Sequence, residues 1–307
     1  MKEWQAFSTT VPGKWVLAGE HAVLRGATAV ALPHPEFKLQ LEYDPDCASG
    51  VAPLLSPGNF SNVGNLRVDP ASAQRVVVDL LGSVQVRWPA QGRSFTFPTG
   101  CLRISSSIPV SAGLGSSSAL CVAMAQWLAA PLGLKPDDLL GFATALEHRF
   151  HGQSSGMDVA AALSGQPISF VRGQMPRALG VKNLPRFTFH DSGLRSCTSD
   201  CVAQVSRLLE EAPLRAEQID NRMRAASQAA MDGLIRFDQG DKTAGLEKIA
   251  QGMRAGQECY RDWQLLPPEV ATLQEELLGR GALAVKLTGA GGGGFLVALW
   301  AELKWLR

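Results

Sequence analysis

Two acidic side chains, a lysine and two runs of glycine are the parts of this 307-residue chain whose chemistry goes beyond what a packed interior requires. Glu147 closes one helical pattern and Asp158 opens the next, with the turn Gly152-Gln153-Ser154-Ser155-Gly156 between them. Carboxylates arriving from different elements can converge on one point, where one can hold Mg²⁺ and the other can take a proton. Taken singly, such carboxylates are more often a solvated helix end and a helix N-cap. The turn also satisfies G-x-S-x-G, but a nucleophile elbow follows a strand and this one follows a helix. The only later histidine is His190, so the serine-hydrolase order fails as well. His148 and His151 are spaced i, i+3, yet no third metal ligand stands near them.

The first glycine run, Pro109-Val110-Ser111-Ala112-Gly113-Leu114-Gly115-Ser116-Ser117-Ser118-Ala119, lies between a strand pattern and a helix pattern. That placement suits a phosphate cradle: glycines admit an anion to the backbone, successive N–H groups can point inward, and the helix adds its positive end. Neither the Walker ending nor the third Rossmann glycine is present, and a serine-rich N-cap after a glycine turn is the plain alternative. In the second run, five of the six residues from Gly289 to Gly294 are glycine, set between strands. Such density costs backbone entropy without packing, so close approach to a ligand or another loop is expected over a flexible hairpin tip. Lys14, after Pro12-Gly13 and ahead of the polar turn Gly19-Glu20-His21, can aim a charge into a cleft or lie on the surface.

These residues need elements to hold them. Trp15–Ala18 and Ala29–Leu32 read as strands around the polar turn, and Phe37–Tyr43 alternates as a strand with one wet face. Asp44–Pro70 reads as loop; Val76–Trp88, Ser94–Phe97 and Leu102–Ile108 are strand or mixed candidates. Leu120, Ala123, Met124, Trp127 and Leu128 then share a helical stripe, giving a buried helix over Ser116–Ala130. Helices follow from Pro136, with acidic Asp137 and Asp138 in the first turn, and over Met157–Leu163. Strands are expected at Pro167–Val171, Arg186–His190, Leu283–Leu287 and Phe295–Trp300, and helices at Ser199–Glu211, Ala216–Phe237, Ala244–Cys259 and Pro268–Leu278. Without strict βαβ alternation the fold class is α+β or mixed α/β, in two lobes, 1–170 and 171–307.

Lys+Arg 29 against Asp+Glu 28 leaves a net charge of +1, which demands no nucleic-acid partner. The stretch Leu120–Leu134 is too short and too broken for a membrane span, and the first residues lack a signal-peptide core, so a cytoplasmic location is expected. The six cysteines form no C-x-x-C pair and are expected to be reduced thiols.

Taken in order, PGKWVLAGEHAVLRG, IPVSAGLGSSSA, E-x₃-HGQSSGMD and KLTGAGGGG resemble the motifs of the GHMP small-molecule kinases, as does Asp191-Ser192-Gly193 followed by Thr198. The resemblance implies a lobe like the second domain of ribosomal protein S5, a ferredoxin-like lobe, and a cleft between them for ATP and an alcohol. It implies ATP-dependent phosphorylation of the C5 hydroxyl of mevalonate, with phosphomevalonate or another alcohol as the alternative acceptor. Carried over residue by residue, Pro109, Ser111, Ala112, Gly113, Leu114, Gly115, Ser116, Ser117 and Ser118 would bind the phosphates, and Ser117 and Glu147 would hold Mg²⁺. Asp158 would be the base, with Lys14 keeping it ionised. Glu20, His21 and Thr198 would contact the acceptor, and Gly289, Ala290, Gly291 and Gly292 would support the phosphate loop. Arg149, Arg172 and Arg195 are the cations a phosphorylated acceptor could use. Ser118 and Ser154 depart from the usual pattern, the first adding a hydroxyl near the cation site and the second loosening the turn before Asp158. The partner is then a small molecule, with no nucleic acid or membrane, and a homodimer is compatible with the family.

Overall fold

The computed structural model describes residues 4–47, 61–63, 66–68, 74–87, 98–151 and 154–301. Its first sheet is organised by β2 (Ala29–Asp44), a 16-residue strand that joins the two stretches read separately from the sequence. β1 (Phe7–Ala18) pairs antiparallel along its length, from Phe7 opposite Tyr43 to Ala18 opposite Val30. β5 (Gly100–Ser106) pairs with the distal half of β2 and β6 (Ile168–Phe170) with its proximal half. The short strands β3 (Ser61–Val63), β4 (Leu66–Val68) and β7 (Arg177–Ala178) extend the edges. A second antiparallel sheet has the order β8 (Arg186–Asp191), β10 (Phe295–Trp300), β9 (Ala284–Leu287).

Three expectations are corrected. The stretch Asp44–Pro70, read as loop, contains β3 and β4, which pair antiparallel with each other, β4 also joining β5. Val76–Trp88, read as a strand or mixed segment, falls mostly in a helix, α1 (Gln74–Arg87). Its buried side chains Val77, Leu80, Leu81 and Val84 lie on one helical stripe, and that periodicity overrides the strand preference of its valines. Ser94–Phe97 lies outside the described residues. Cys47 and Cys101 are joined in a disulfide, Cα to Cα 5.8 Å, where free thiols were expected. The cause is register: β5 begins opposite the end of β2, Cys101 facing Asp44, so a cysteine three residues beyond Asp44 lands within bridging reach. Cys121, Cys197, Cys201 and Cys259 are free.

The helices that matter for the site follow the expected order: α2 (Ser116–Leu132) and α4 (Met157–Ser164) pack on the first sheet, and α3 (Leu139–His151) packs on α2 and α4. α7 (Lys242–Asp262) and α8 (Pro268–Gly279) pack on the second sheet, while α6 (Pro213–Asp238) packs on α7 and reaches β1 and β2, and α5 (Thr198–Glu211) packs on α6. α6 and α7 come so close that a Cβ on Gly252 would sit 2.6 Å from the Ala226 carbonyl oxygen. The two sheets meet through aromatic rings, Trp15 of β1 lying edge-on to Phe187 and Phe189 of β8 at 4.8 and 5.4 Å between centroids. No helix among the described residues is long and apolar enough to cross a membrane.

Candidate active site

The first functional side chain sits beside a break in strand pairing. The β1–β2 register shifts between Pro12, opposite Lys38, and Lys14, opposite Pro33, so residues 34–37 of β2 form an irregular stretch across from Gly13; Lys14 is 2% exposed. Its ammonium lies 2.9 Å from Asp158 Oδ2 and donates to the Gly113 carbonyl at 3.1 Å. Lys14 also donates its main-chain N–H to Leu114 at 2.9 Å, so the loop from 109 to 115 is strapped to β1 twice. Asp158, on the first turn of α4, keeps 34% of its side-chain surface open while its lysine is sealed beneath it.

The loop itself has alternate left-handed residues, Ser111 at φ 57°, Gly113 at 78° and Gly115 at 76°. Alternation of hand turns consecutive N–H groups toward a common centre, and α2 starts immediately afterwards, so an anion would meet main-chain donors and the helix's positive end together. Ser111 adopts its angle without glycine's freedom, a cost that a nest for an anion would repay. Ser116 and Ser117 are half-buried on the first turn of α2. Ser118 does not add a hydroxyl toward a cation: it is buried and donates back to the Gly115 carbonyl at 2.9 Å.

Glu147, on α3, is 1% exposed and receives the Ser154 hydroxyl on Oε2 at 2.5 Å. Burial, seconded by the negative charge of Asp158, pushes its carboxyl up to about 7, against the pull of the Ser154 bond and of Lys14. A buried carboxylate with a raised proton affinity beside another carboxylate is suited to a cation, which would relieve both causes at once. Among the described residues no three His, Cys, Asp or Glu side chains gather as a metal cage, so a divalent ion here would depend on Glu147, the Ser117 hydroxyl and phosphate oxygens brought by a nucleotide.

The second glycine run is neither loose nor solvent-facing. Tyr260 donates its hydroxyl to Gly289. The Gly291 carbonyl accepts from Ser196 Oγ at 2.5 Å and from Cys201 Sγ at 3.4 Å, and Gly292 and Gly294 donate to the Leu265 and Leu194 carbonyls at 2.8 and 2.9 Å. His21 Nε2 lies 2.8 Å from the Ala290 carbonyl, which can only accept, so that nitrogen carries the proton. Burial lowers the His21 pKa to about 4, and the ring is neutral at pH 7. The run packs straight onto the phosphate loop: a Cβ on Gly113 would lie 2.5 Å from the Thr288 carbonyl oxygen, and one on Gly289 would lie 2.8 Å from the Gly113 Cα. Both glycines serve close approach.

Lys14, Asp158, Glu147 and the 109–118 loop therefore lie together. Glu20 is buried against Lys286, His21 sits on the glycine run, and Thr198 is exposed at the start of α5. The three arginines are not brought together. Arg172 donates to the Leu24 carbonyl, Arg195 pairs with Asp191 and Arg149 is exposed at the end of α3. Sequence reasoning assigned no role to Lys286 or Tyr260. The Lys286 ammonium is bound to Glu20 and to the Leu287 carbonyl and stands 5.0 Å above the Tyr260 ring, all in the interior between the sheets. The available signal was one charge in the otherwise apolar strand Ala284-Val285-Lys286-Leu287, which requires a buried counter-charge.

Comparison with known proteins accords with this geometry. Residues 81–166 match the N-terminal domain of the GHMP kinases, and residues 244–302 match the GHMP kinase C-terminal domain. The chain belongs to the GHMP kinases, and it is an ATP-using kinase that phosphorylates a hydroxyl. Within that family it is most like mevalonate kinases. It is 29% identical to a mevalonate kinase of Aeropyrum pernix over 97% of this chain and 90% of that one. Its fold matches that of the L. major mevalonate kinase crystallised with R-mevalonate, with a TM-score of 0.73 and 22% identity over 97% of this chain and 88% of that chain. The Streptococcus pneumoniae phosphomevalonate kinase in complex with phosphomevalonate and AMPPNP shares the fold at TM-score 0.72 and 16% identity, over 97% of this chain and 93% of that one.

Proposed function

We propose that this protein transfers the γ-phosphoryl group of ATP to the C5 hydroxyl of mevalonate, and that Asp158, held by Lys14, is the base. The observation that carries the reading is the 2.9 Å pair between a sealed ammonium and a part-open carboxylate, beside a loop of alternating backbone hand. Asp158 accepts the hydroxyl proton as the alcohol oxygen attacks, and Lys14 fixes that carboxylate while also binding the Gly113 carbonyl. The N–H groups of residues 111 to 115 and the first turn of α2, with Ser116, hold the phosphate oxygens in line and offset their charge. Glu147 and Ser117 would hold Mg²⁺, which would neutralise charge developing on the phosphate. Glu20, His21 and Thr198 line the acceptor side, and the Gly289–Gly292 stretch backs the phosphate loop. The lobes divide in the stretch after residue 170, where β6 and the short β7 finish the first sheet.

Phosphomevalonate as acceptor is the weaker reading, because its phosphate would need added cations and Arg149, Arg172 and Arg195 point to no common site. Purified protein assayed for ADP release with mevalonate, phosphomevalonate and a panel of simple alcohols tests this. Turnover with mevalonate at least tenfold above every other alcohol is expected; preference for phosphomevalonate refutes the acceptor assignment.

A further inference from the structure

We propose that Ser154 is a positioning residue: its single hydroxyl ties the carboxylate of Glu147 to the helix start that presents Asp158. This rests on the reading of Glu147 as the cation's carboxylate. Ser154 Oγ donates to Glu147 Oε2 at 2.5 Å and accepts the Gly156 N–H at 3.1 Å. A main-chain N–H can only donate, so Ser154 Oγ accepts from Gly156, and its one proton is left for the ionised carboxylate of Glu147. Gly156 is the left-handed N-cap of α4, two residues before Asp158, and Ser155 adds a bond from the Met157 N–H at 3.2 Å. The turn expected to be loosened by a serine is instead stitched to both helices through it.

The consequence is geometric. Glu147 is on α3 and 1% exposed, so if the Ser154 donor is removed, bulk water does not readily replace it at Oε2. Partners that orient a ligating carboxylate commonly matter to metal affinity by tenfold or more. Asp158 has Lys14 as its own anchor, so loss of the Ser154 hydroxyl acts first on the cation and only second on the base.

The test is a double-mutant cycle with Ser154→Ala and Glu147→Gln, read by calorimetric binding of Mn²⁺ in the presence of a non-hydrolysable ATP analogue, alongside kcat and KM for ATP. Ser154→Ala should weaken Mn²⁺ binding roughly tenfold, Ser154→Thr should restore it, and Ser154→Ala should have no further effect in the Glu147→Gln background. If Glu147→Gln weakens binding while Ser154→Ala does not, the role of Ser154 is overturned and that of Glu147 stands. Additive effects of the two changes also overturn it, since the serine would then act through the turn alone. If Glu147→Gln leaves Mn²⁺ binding unchanged, the cation role of Glu147 falls, and this inference with it.

Discussion

Replacing Lys286 by methionine keeps the aliphatic length of the side chain and removes its charge. In the folded protein Lys286 is 1% exposed and Glu20 3%, so the variant leaves a carboxylate in the interior without its cation. Glu20 Oε2 already has no hydrogen-bond partner, and the Leu287 carbonyl loses the donor that now sits at 2.5 Å. Removing one member of a buried pair costs about 3–5 kcal/mol, far above the 0–1 kcal/mol typical of an exposed pair. The pair also links the turn after β1 to β9, so the loss falls on the contact between the two sheets. Glu20→Gln should cost a similar amount, by stranding the ammonium. The double variant Glu20→Gln, Lys286→Met should cost no more than either single change, because neither group is then a lone charge. Urea unfolding of the four proteins measures the cycle. A Lys286→Met loss below about 1 kcal/mol, or a double loss equal to the sum of the singles, would show that the pair is not coupled in a dry interior.

Gly113→Ala and Gly26→Ala place a Cβ at similar backbone angles, φ 78° and 81°, but only the first meets another group, the Thr288 carbonyl oxygen at 2.5 Å. Both should lose about 1–2 kcal/mol to the left-handed conformation, and Gly113→Ala a further 1–3 kcal/mol or so with weakened ATP binding; equal losses in thermal unfolding would remove the packing argument. Burial lowers the His34 pKa to about 4, and its Nδ1 accepts the Glu36 and Phe37 N–H groups at 3.2 and 3.1 Å. Since the unfolded chain takes up this proton near pH 6.5 and the folded one does not until about 4, stability falls as pH drops through that window, by up to about 1.4 kcal/mol per pH unit. His34→Asn retains an acceptor for the turn and should flatten that part of the curve; an unchanged slope in pH-dependent denaturation would discount His34. Asp158→Ala should lower kcat by about 10²–10⁴ with nucleotide binding largely kept, and normal turnover in a steady-state assay would remove Asp158 as the base.

The elements that position the site were legible because each has a local cause. The stripe of Leu120, Ala123, Met124, Trp127 and Leu128 requires α2, and the change from alternation to that stripe puts a strand-to-helix loop at Pro109–Gly115. What sequence reading missed depends on register and packing. Nothing in the spacing of Cys47 and Cys101 signals a pair; β2 opposite β5 makes one. Likewise, alternation along β1 puts Lys14 on the face of the exposed Ser8 and Thr10, and cannot say that this face is covered from Lys14 onward, where α4 packs on β1.

The close approach of β1 to the phosphate loop makes the site possible: from beside Gly13, Lys14 reaches Asp158 and the Gly113 carbonyl. The small residue at position 13 is required for a related reason, since a Cβ there would stand 3.1 Å from the Leu114 carbonyl that receives the Lys14 N–H. The same backbone contact that docks the phosphate loop on β1 thus keeps the lysine aimed at the aspartate. Glycines at 13, 113 and 289 form a stack of backbone approaches, β1 on the phosphate loop and the phosphate loop on the second glycine run.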